Sequence, residues 1–159
     1  MTFLLSLLGA LVAVSLVEYF GHRSVLHEGR LSLGKDHITH HKYFARDFLA
    51  GGEEVAFYDQ YWVRFAFGLV WPLPVALPLL FLIGWVPAAV LVATAGLHAV
   101  LWQRLHNEMH RPKTGWLQRT AYFRFIRDFH LVHHLKSRTN YAFVFAPLWD
   151  RVFGTYRRL

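Results

Sequence analysis

The chain contains no cysteine and only two methionines among its 159 residues. Disulfides, thiol nucleophiles, Cys-based zinc fingers and thiolate-held iron–sulfur clusters are therefore excluded. Charge is scarce as well. Asp, Glu, Lys and Arg make up 17% of the residues, against about 25% in ordinary soluble domains. Basic residues are missing altogether before Arg23 and between Arg64 and Arg104. The first gap is apolar from Phe3 to Val17 except for Ser6, Gly9 and Ser15, and the second holds a long apolar stretch from Phe65 to Trp102. A nucleic-acid binder spreads its basic residues over one face of a soluble domain. Here they border apolar spans, which indicates a membrane partner and no nucleic acid.

Length allows one domain over residues 1–159. The run 2–20 lacks the basic start and small-residue cleavage site of a secretory signal. It reads as a retained transmembrane helix of about 27 Å, close to the hydrocarbon thickness of about 30 Å. The second apolar stretch is too long for one crossing. Gly84-Trp85-Val86-Pro87 marks a turn near its middle. A hairpin follows, with 62–83 as one arm, kinked by Pro72, Pro74 and Pro78, and 88–105 as the other. The expected fold class is all-α: an integral membrane helical bundle with three crossings and a histidine-rich helical cap.

Three crossings put segments 21–61 and 106–159 on one side. All seventeen Lys and Arg lie there or at its border, so that side is predicted to be cytoplasmic by the positive-inside rule. Residues 103–159 carry eleven basic and three acidic side chains, a balance that also suits anionic headgroups.

Ten of the eleven histidines fall into four groups on that same side: His22 and His27; His37, His40 and His41; His106 and His110; His130, His133 and His134. On a helix, positions i, i+3 and i+4 share a face. The spacing therefore predicts that His37, His40 and His41 converge, and likewise His130, His133 and His134. His22 and His27 stand about 140° apart on an α-helix, so they converge only if the chain bends near His27, where Gly29 follows. The pattern points to metal ligation. Ten imidazoles exceed the eight ligands of two tetrahedral zinc ions, whereas five on each of two octahedral ions leave a vacancy for a shared oxygen species. Ligand type alone permits Fe, Zn, Cu or Ni. A site at a membrane surface suits a lipid with unactivated C–H bonds, which iron with O₂ can attack and zinc cannot.

Beyond the boxes, His98 lies within the third crossing and is expected to hydrogen-bond in the bundle more readily than to ligate a metal. Glu18, one turn before His22, suits either support of a ligand or snorkelling to the interface. Asp36 and Asp128 flank boxes and are candidates to hold imidazole N–H groups, with surface exposure as the alternative. Asn140 can serve the last box or take a left-handed helix-capping geometry. Glu108, about 200° from His106, is expected in solvent. Asp150 is expected to pair with an arginine, and Trp116, Tyr122, Phe123 and Trp149 to form an interfacial aromatic belt.

The segments EYFGHRSVLH, HITHH, HNEMH and HLVHH, the Asn140-Tyr141 pair and the closing PLWDRVFGT resemble the fatty acid hydroxylase/sterol desaturase superfamily over nearly the whole chain. The resemblance implies a centre of two iron ions, for which zinc can substitute on purification, with the ten boxed histidines as ligands. It implies O₂-dependent lipid hydroxylation or desaturation, with electrons from a separate ferredoxin-, cytochrome- or flavin-type donor. Two features depart from relatives. The chain is short, and Arg127-Asp128-Phe129 replaces the Tyr-Asp that precedes the last box in fatty acid 2-hydroxylases. Carotenoid hydroxylases are similar in size and box order and stand as an alternative. A membrane metal-binding or transport protein is the non-enzymatic alternative; transport would place ligands near the bilayer midplane, where only His98 falls.

Overall fold

The computed structural model describes residues 2–28, 32–44 and 61–159, and among these the regular structure is all helical, with no strand. Gly29 lies outside the described residues. The chain divides into two compact units, one drawn from 1–14 and 59–103, the other from 15–58 and 104–159.

The first unit holds the apolar helices. Helix α1, Thr2–Phe20, has no proline and is apolar on every side, the pattern of a helix that does not face water. Helices α3, Tyr61–Val70, and α4, Leu73–Leu82, make up the expected hairpin arm, and α5, Trp85–His110, returns. Two helical runs, Thr2–Leu26 and Trp85–His110, are long and apolar enough to cross a membrane, yet only 28% of each span's apolar window is buried in the protein. Leu4, Leu8, Phe81, Leu82, Trp85 and Leu97 all project outward. The core helix of a soluble protein buries such side chains, so their exposure fits a hydrocarbon solvent.

The expected single arm 62–83 is instead two ten-residue helices separated at Trp71-Pro72. Proline has no N–H to give and its ring clashes with the preceding turn. Pro72 therefore ends α3, and its carbonyl accepts from Val75 and Ala76 to start α4. Pro74 falls in the first turn of α4, where its missing N–H costs nothing, and only Pro78 lies inside the helix. The turn to α5 is Ile83-Gly84, shorter than the expected 84–87 because Trp85 already begins the helix; Gly84 has φ +122°, a conformation open to glycine and strained for other residues. Small residues set the packing. Ala10, Ala76, Ala88 and Leu91 form a buried cluster. A Cβ on Gly68 would stand 2.9 Å from the Ala95 carbonyl and the Ala99 methyl, so backbone meets backbone there, as in membrane helix pairs.

The second unit begins at Ser15 with the end of α1. The helix widens into a π turn over Gly21–Leu26, and helix α2 follows at Ser32–Phe44. The last turns of α5 lead through the short α6, Gly115–Gln118, to α7, Ala121–Leu135, and finally α8, Leu148–Val152. Thr120 caps α7 by accepting from the Phe123 amide at 3.2 Å, satisfying one of the orphan donors of a helix start.

Glu108 is not in solvent. It is buried, and its carboxylate accepts from the amides of Lys113 and Thr114 at 3.0 and 3.1 Å, the Thr114 hydroxyl at 2.6 Å and the Gln118 side chain at 3.1 Å. Helical angle placed it away from His106, but the returning 111–118 segment covers that side of α5. The expected aromatic belt is divided in the same way. Trp116 is exposed, whereas Phe123 is fully buried and the Trp149 indole donates to Ser15 Oγ at 2.8 Å.

Candidate metal centre

The boxes reach the centre from four elements. His22 lies in the π turn and His27 directly after it, while His37, His40 and His41 lie on α2, His106 and His110 on the end of α5, and His130, His133 and His134 on α7. All ten come together, in two groups of five. His22, His27, His37, His41 and His133 form one; His40, His106, His110, His130 and His134 form the other. Within each group the ligand nitrogens lie within 4.8 Å of one another. The groups abut, for the rings of His41 and His134 stack at 4.3 Å.

The π turn resolves the angular problem posed by His22 and His27. Its i→i+5 bonding sets residues five apart above one another, and the His27 amide donates to the His22 carbonyl at 3.3 Å. The two ring centroids are 5.1 Å apart.

The two triads do not each converge as the spacing predicts. On α2, His37 and His41 serve one group and His40 the other; on α7, His130 and His134 serve one and His133 the other. At about 100° per residue, i+4 stands about 40° to one side of i and i+3 about 60° to the opposite side. A helix running between two groups can therefore give its i,i+4 pair to one and its i+3 residue to the other. Both helices do this, with the assignments reversed.

The donors fit a metal ion. His133 donates its Nδ1–H to the Thr139 carbonyl at 2.6 Å, and His22 donates its Nδ1–H to the Tyr141 carbonyl. A neutral imidazole so bonded has only a lone pair on Nε2. Those lone pairs point at other ring nitrogens, His22 Nε2 at His37 Nε2 over 2.9 Å and His133 Nε2 at His27 Nε2 over 3.1 Å. His37 Nε2 also stands 3.2 Å from His27 and 3.0 Å from His41. One nitrogen cannot bridge three others through a single hydrogen, whereas a cation between them satisfies every lone pair. The same spacing recurs in the second group, where His130 Nε2 is 3.1 Å from both His110 and His134. Ligands about 2.1 Å from a metal are about 3.0 Å apart at octahedral angles and about 3.4 Å apart at tetrahedral ones. The closest separations, 2.9 to 3.2 Å, lie toward the octahedral value.

Burial prepares the ligands. It lowers the pKa of His27 to about 4 and that of His41 to about 3, with nearby imidazoles adding to the effect at His41. Burial, then repulsion from neighbouring rings, holds His37, His130, His133 and His134 well below the ordinary imidazole value. Neutral rings keep their lone pairs for metal at physiological pH. Phe44 packs on His110 at 4.1 Å and Phe143 on His130 at 5.3 Å, giving the second group apolar walls.

The other candidates distribute differently. His98 belongs to neither group. Asp36 is exposed, and Asp128 is half-exposed and pairs with Arg127 at 3.1 Å. Glu18 is buried and its Oε1 accepts from the Phe143 and Val144 amides at 2.9 and 3.2 Å. Asn140 has the expected left-handed φ, +55°, but it does not cap the helix, which ends at Leu135. Its amide donates to the carbonyls of Phe129 and Arg157, and its Oδ1 accepts from the Arg157 amide at 2.8 Å. Among the described residues Asp150 pairs with no arginine. It is fully buried and accepts from the amides of Tyr141 and Ala142 and from the Thr155 hydroxyl. Burial raises its pKa, and these hydrogen bonds offset only part of that rise. The carbonyls of Thr139 and Tyr141, which orient two histidines, have no signature in composition or spacing, because any residue supplies a carbonyl.

A family model described as fatty acid hydroxylase matches residues 7–155. No curated protein and no solved structure gives a significant match.

Proposed function

The chain belongs to the fatty acid hydroxylase family, and from that premise we propose that it is a membrane-bound, O₂-dependent lipid hydroxylase with a centre of two iron ions. The division of ten histidines into two five-nitrogen groups, whose closest separations lie toward the octahedral value, carries the reading. His22, His27, His37, His41 and His133 would hold one ion, and His40, His106, His110, His130 and His134 the other. Bound iron supplies the redox chemistry with O₂ that imidazole and zinc lack.

The chain's own residues do the rest. The Thr139 and Tyr141 carbonyls hold His133 and His22 in the tautomer that offers Nε2. Burial keeps the rings neutral, and Phe44 and Phe143 exclude water beside the second group. The balanced reaction converts R–H, O₂, two electrons and two protons to R–OH and water. The electrons come from a separate ferredoxin-, cytochrome- or flavin-type donor, since the chain has no cysteine to hold an iron–sulfur cluster.

Purified protein loaded with ferrous iron is expected to convert a lipid from the native membrane to a product one oxygen atom heavier, given donor and ¹⁸O₂. The label appears in the product when it is supplied as O₂ and not when supplied as water. Loss of two hydrogens without label would assign desaturation instead. Iron-loaded, reduced protein that consumes no O₂ with any native lipid would overturn the oxygenase reading.

The charge pattern supports a cytoplasmic position for the histidine groups, with eleven basic residues against three acidic ones in 103–159. In a bacterial host, a tag before Thr2 is expected to be accessible from the periplasm and a tag after Leu159 only from the cytoplasm. Both tags cleaved from one side would remove the three-crossing topology.

A further inference from the structure

The segment Thr139–Val144 follows α7 without regular structure, yet its backbone groups are held closely. Asp150 takes two successive amides, Tyr141 on Oδ1 at 2.9 Å and Ala142 on Oδ2 at 3.1 Å. Glu18 takes the next two, Phe143 and Val144, both on Oε1. Four consecutive N–H groups thus end on two buried carboxylates from α1 and α8. Two carbonyls of the same strap face histidines: Thr139 accepts from His133 Nδ1 and Tyr141 from His22 Nδ1. Tyr141 is therefore gripped on its N–H side by a carboxylate and grips a histidine on its C=O side.

We infer that Asp150 and Glu18 are positioning residues of the metal centre, clamping the Thr139–Val144 strap so that its carbonyls orient His22 and His133. Their contributions differ. Asp150 holds the part of the strap that orients His22, in the first group. Glu18 holds Phe143, whose ring packs on His130 and His106 of the second group at 5.3 and 6.2 Å. Charge-assisted bonds to amide N–H groups are the stronger kind and fix a backbone segment that has no helix or sheet to define it. Substitutions behind a metal ligand typically lower metal affinity about 10- to 100-fold.

The two carboxylates hold the strap differently. Asp150 uses both oxygens, and Oδ1 additionally accepts from the Thr155 hydroxyl at 2.6 Å. Asp150→Asn must therefore set an NH₂ against an N–H. Glu18 accepts both strap amides on Oε1.

This inference rests on the proposed metal centre. Its test uses cobalt(II), titrated into the purified full-length protein and followed by visible absorption and elemental analysis. The wild type is expected to bind two equivalents with six-coordinate spectra. Asp150→Asn is expected to keep its helical circular dichroism but to bind one of the two equivalents about 10- to 100-fold more weakly, with the other little changed. Thr155→Val, which removes the third bond to Asp150 and the Thr155 contact with the Tyr19 hydroxyl, should shift the same equivalent by a smaller factor and serves if Asp150→Asn does not fold. Glu18→Ala should weaken the other equivalent. Wild-type affinity for both equivalents in Asp150→Asn and Thr155→Val, or loss of both in step with helicity, would overturn the clamp while leaving the metal centre standing. A wild type that takes up no cobalt would remove the centre and the clamp together.

Discussion

Replacing His37 with alanine is expected to lower lipid hydroxylation by more than about a hundredfold, a loss beyond the 10- to 100-fold usual for residues standing behind a ligand. His37 Nε2 lies within 3.2 Å of three other ring nitrogens of its group, so its loss opens the middle of the donor set. Bound metal should fall from two ions per chain to about one. His40→Ala, three residues away on the same helix, should empty the other group instead, because α2 divides its histidines between the two. Elemental analysis of folded, membrane-inserted variants checks both expectations. His98→Ala serves as the comparison, since His98 stands in neither group, and should keep both ions. If it costs as much metal as His106→Ala, ten ligands is the wrong count.

The second large effect is expected from metal exchange. Zinc outranks ferrous iron in the general affinity order for nitrogen ligands, so protein purified from ordinary medium should carry zinc in part. Stripping it with a chelator and reloading with ferrous iron should raise O₂ consumption with lipid and reductant by about two orders of magnitude or more, because zinc has no redox chemistry to offer. Reloading with zinc should restore the bound metal but not the rate. Oxygen consumption at equal rates in the two forms would show that the metal has a structural role and that the redox step lies elsewhere. Apo protein should be less stable than either loaded form. Its buried lone pairs face one another without a cation between them, and a metal that binds only the folded state adds its binding free energy to stability.

Several features of this centre could be read in one dimension. An apolar run of membrane length, the prolines that interrupt the second arm, and the recurrence of histidine at spacings of three and four are local properties of the chain. Residues three and four apart share a helix face whatever surrounds them. The resemblance in the boxes, in Asn140-Tyr141 and in the PLWDRVFGT tail reached the family to which the chain belongs. For His98, Asp36 and Asp128 the sequence offered a place beside the ligands and an ordinary alternative, and in the structure none of the three joins either histidine group.

Other features depend on what passes alongside each helix. Angle about one axis placed Glu108 away from His106, but only the returning 111–118 segment buries it. Spacing brought His37, His40 and His41 to one face, but the 100° between His40 and His41 became a division between two groups because α2 runs between them. A bend was needed near His27, and its form, a π turn closed by the His27 amide, has no marker in composition. Asp150 and Glu18 are 132 positions apart in the numbering, and nothing local shows that they take four consecutive amides of one strap. The sequence by itself thus determined which atoms are available as ligands and which spans are apolar, because both are properties of single residues and single helices. The tertiary structure alone decided which five nitrogens meet in each group and which carbonyls and carboxylates stand behind them, because those are relations between axes and backbones distant in the chain.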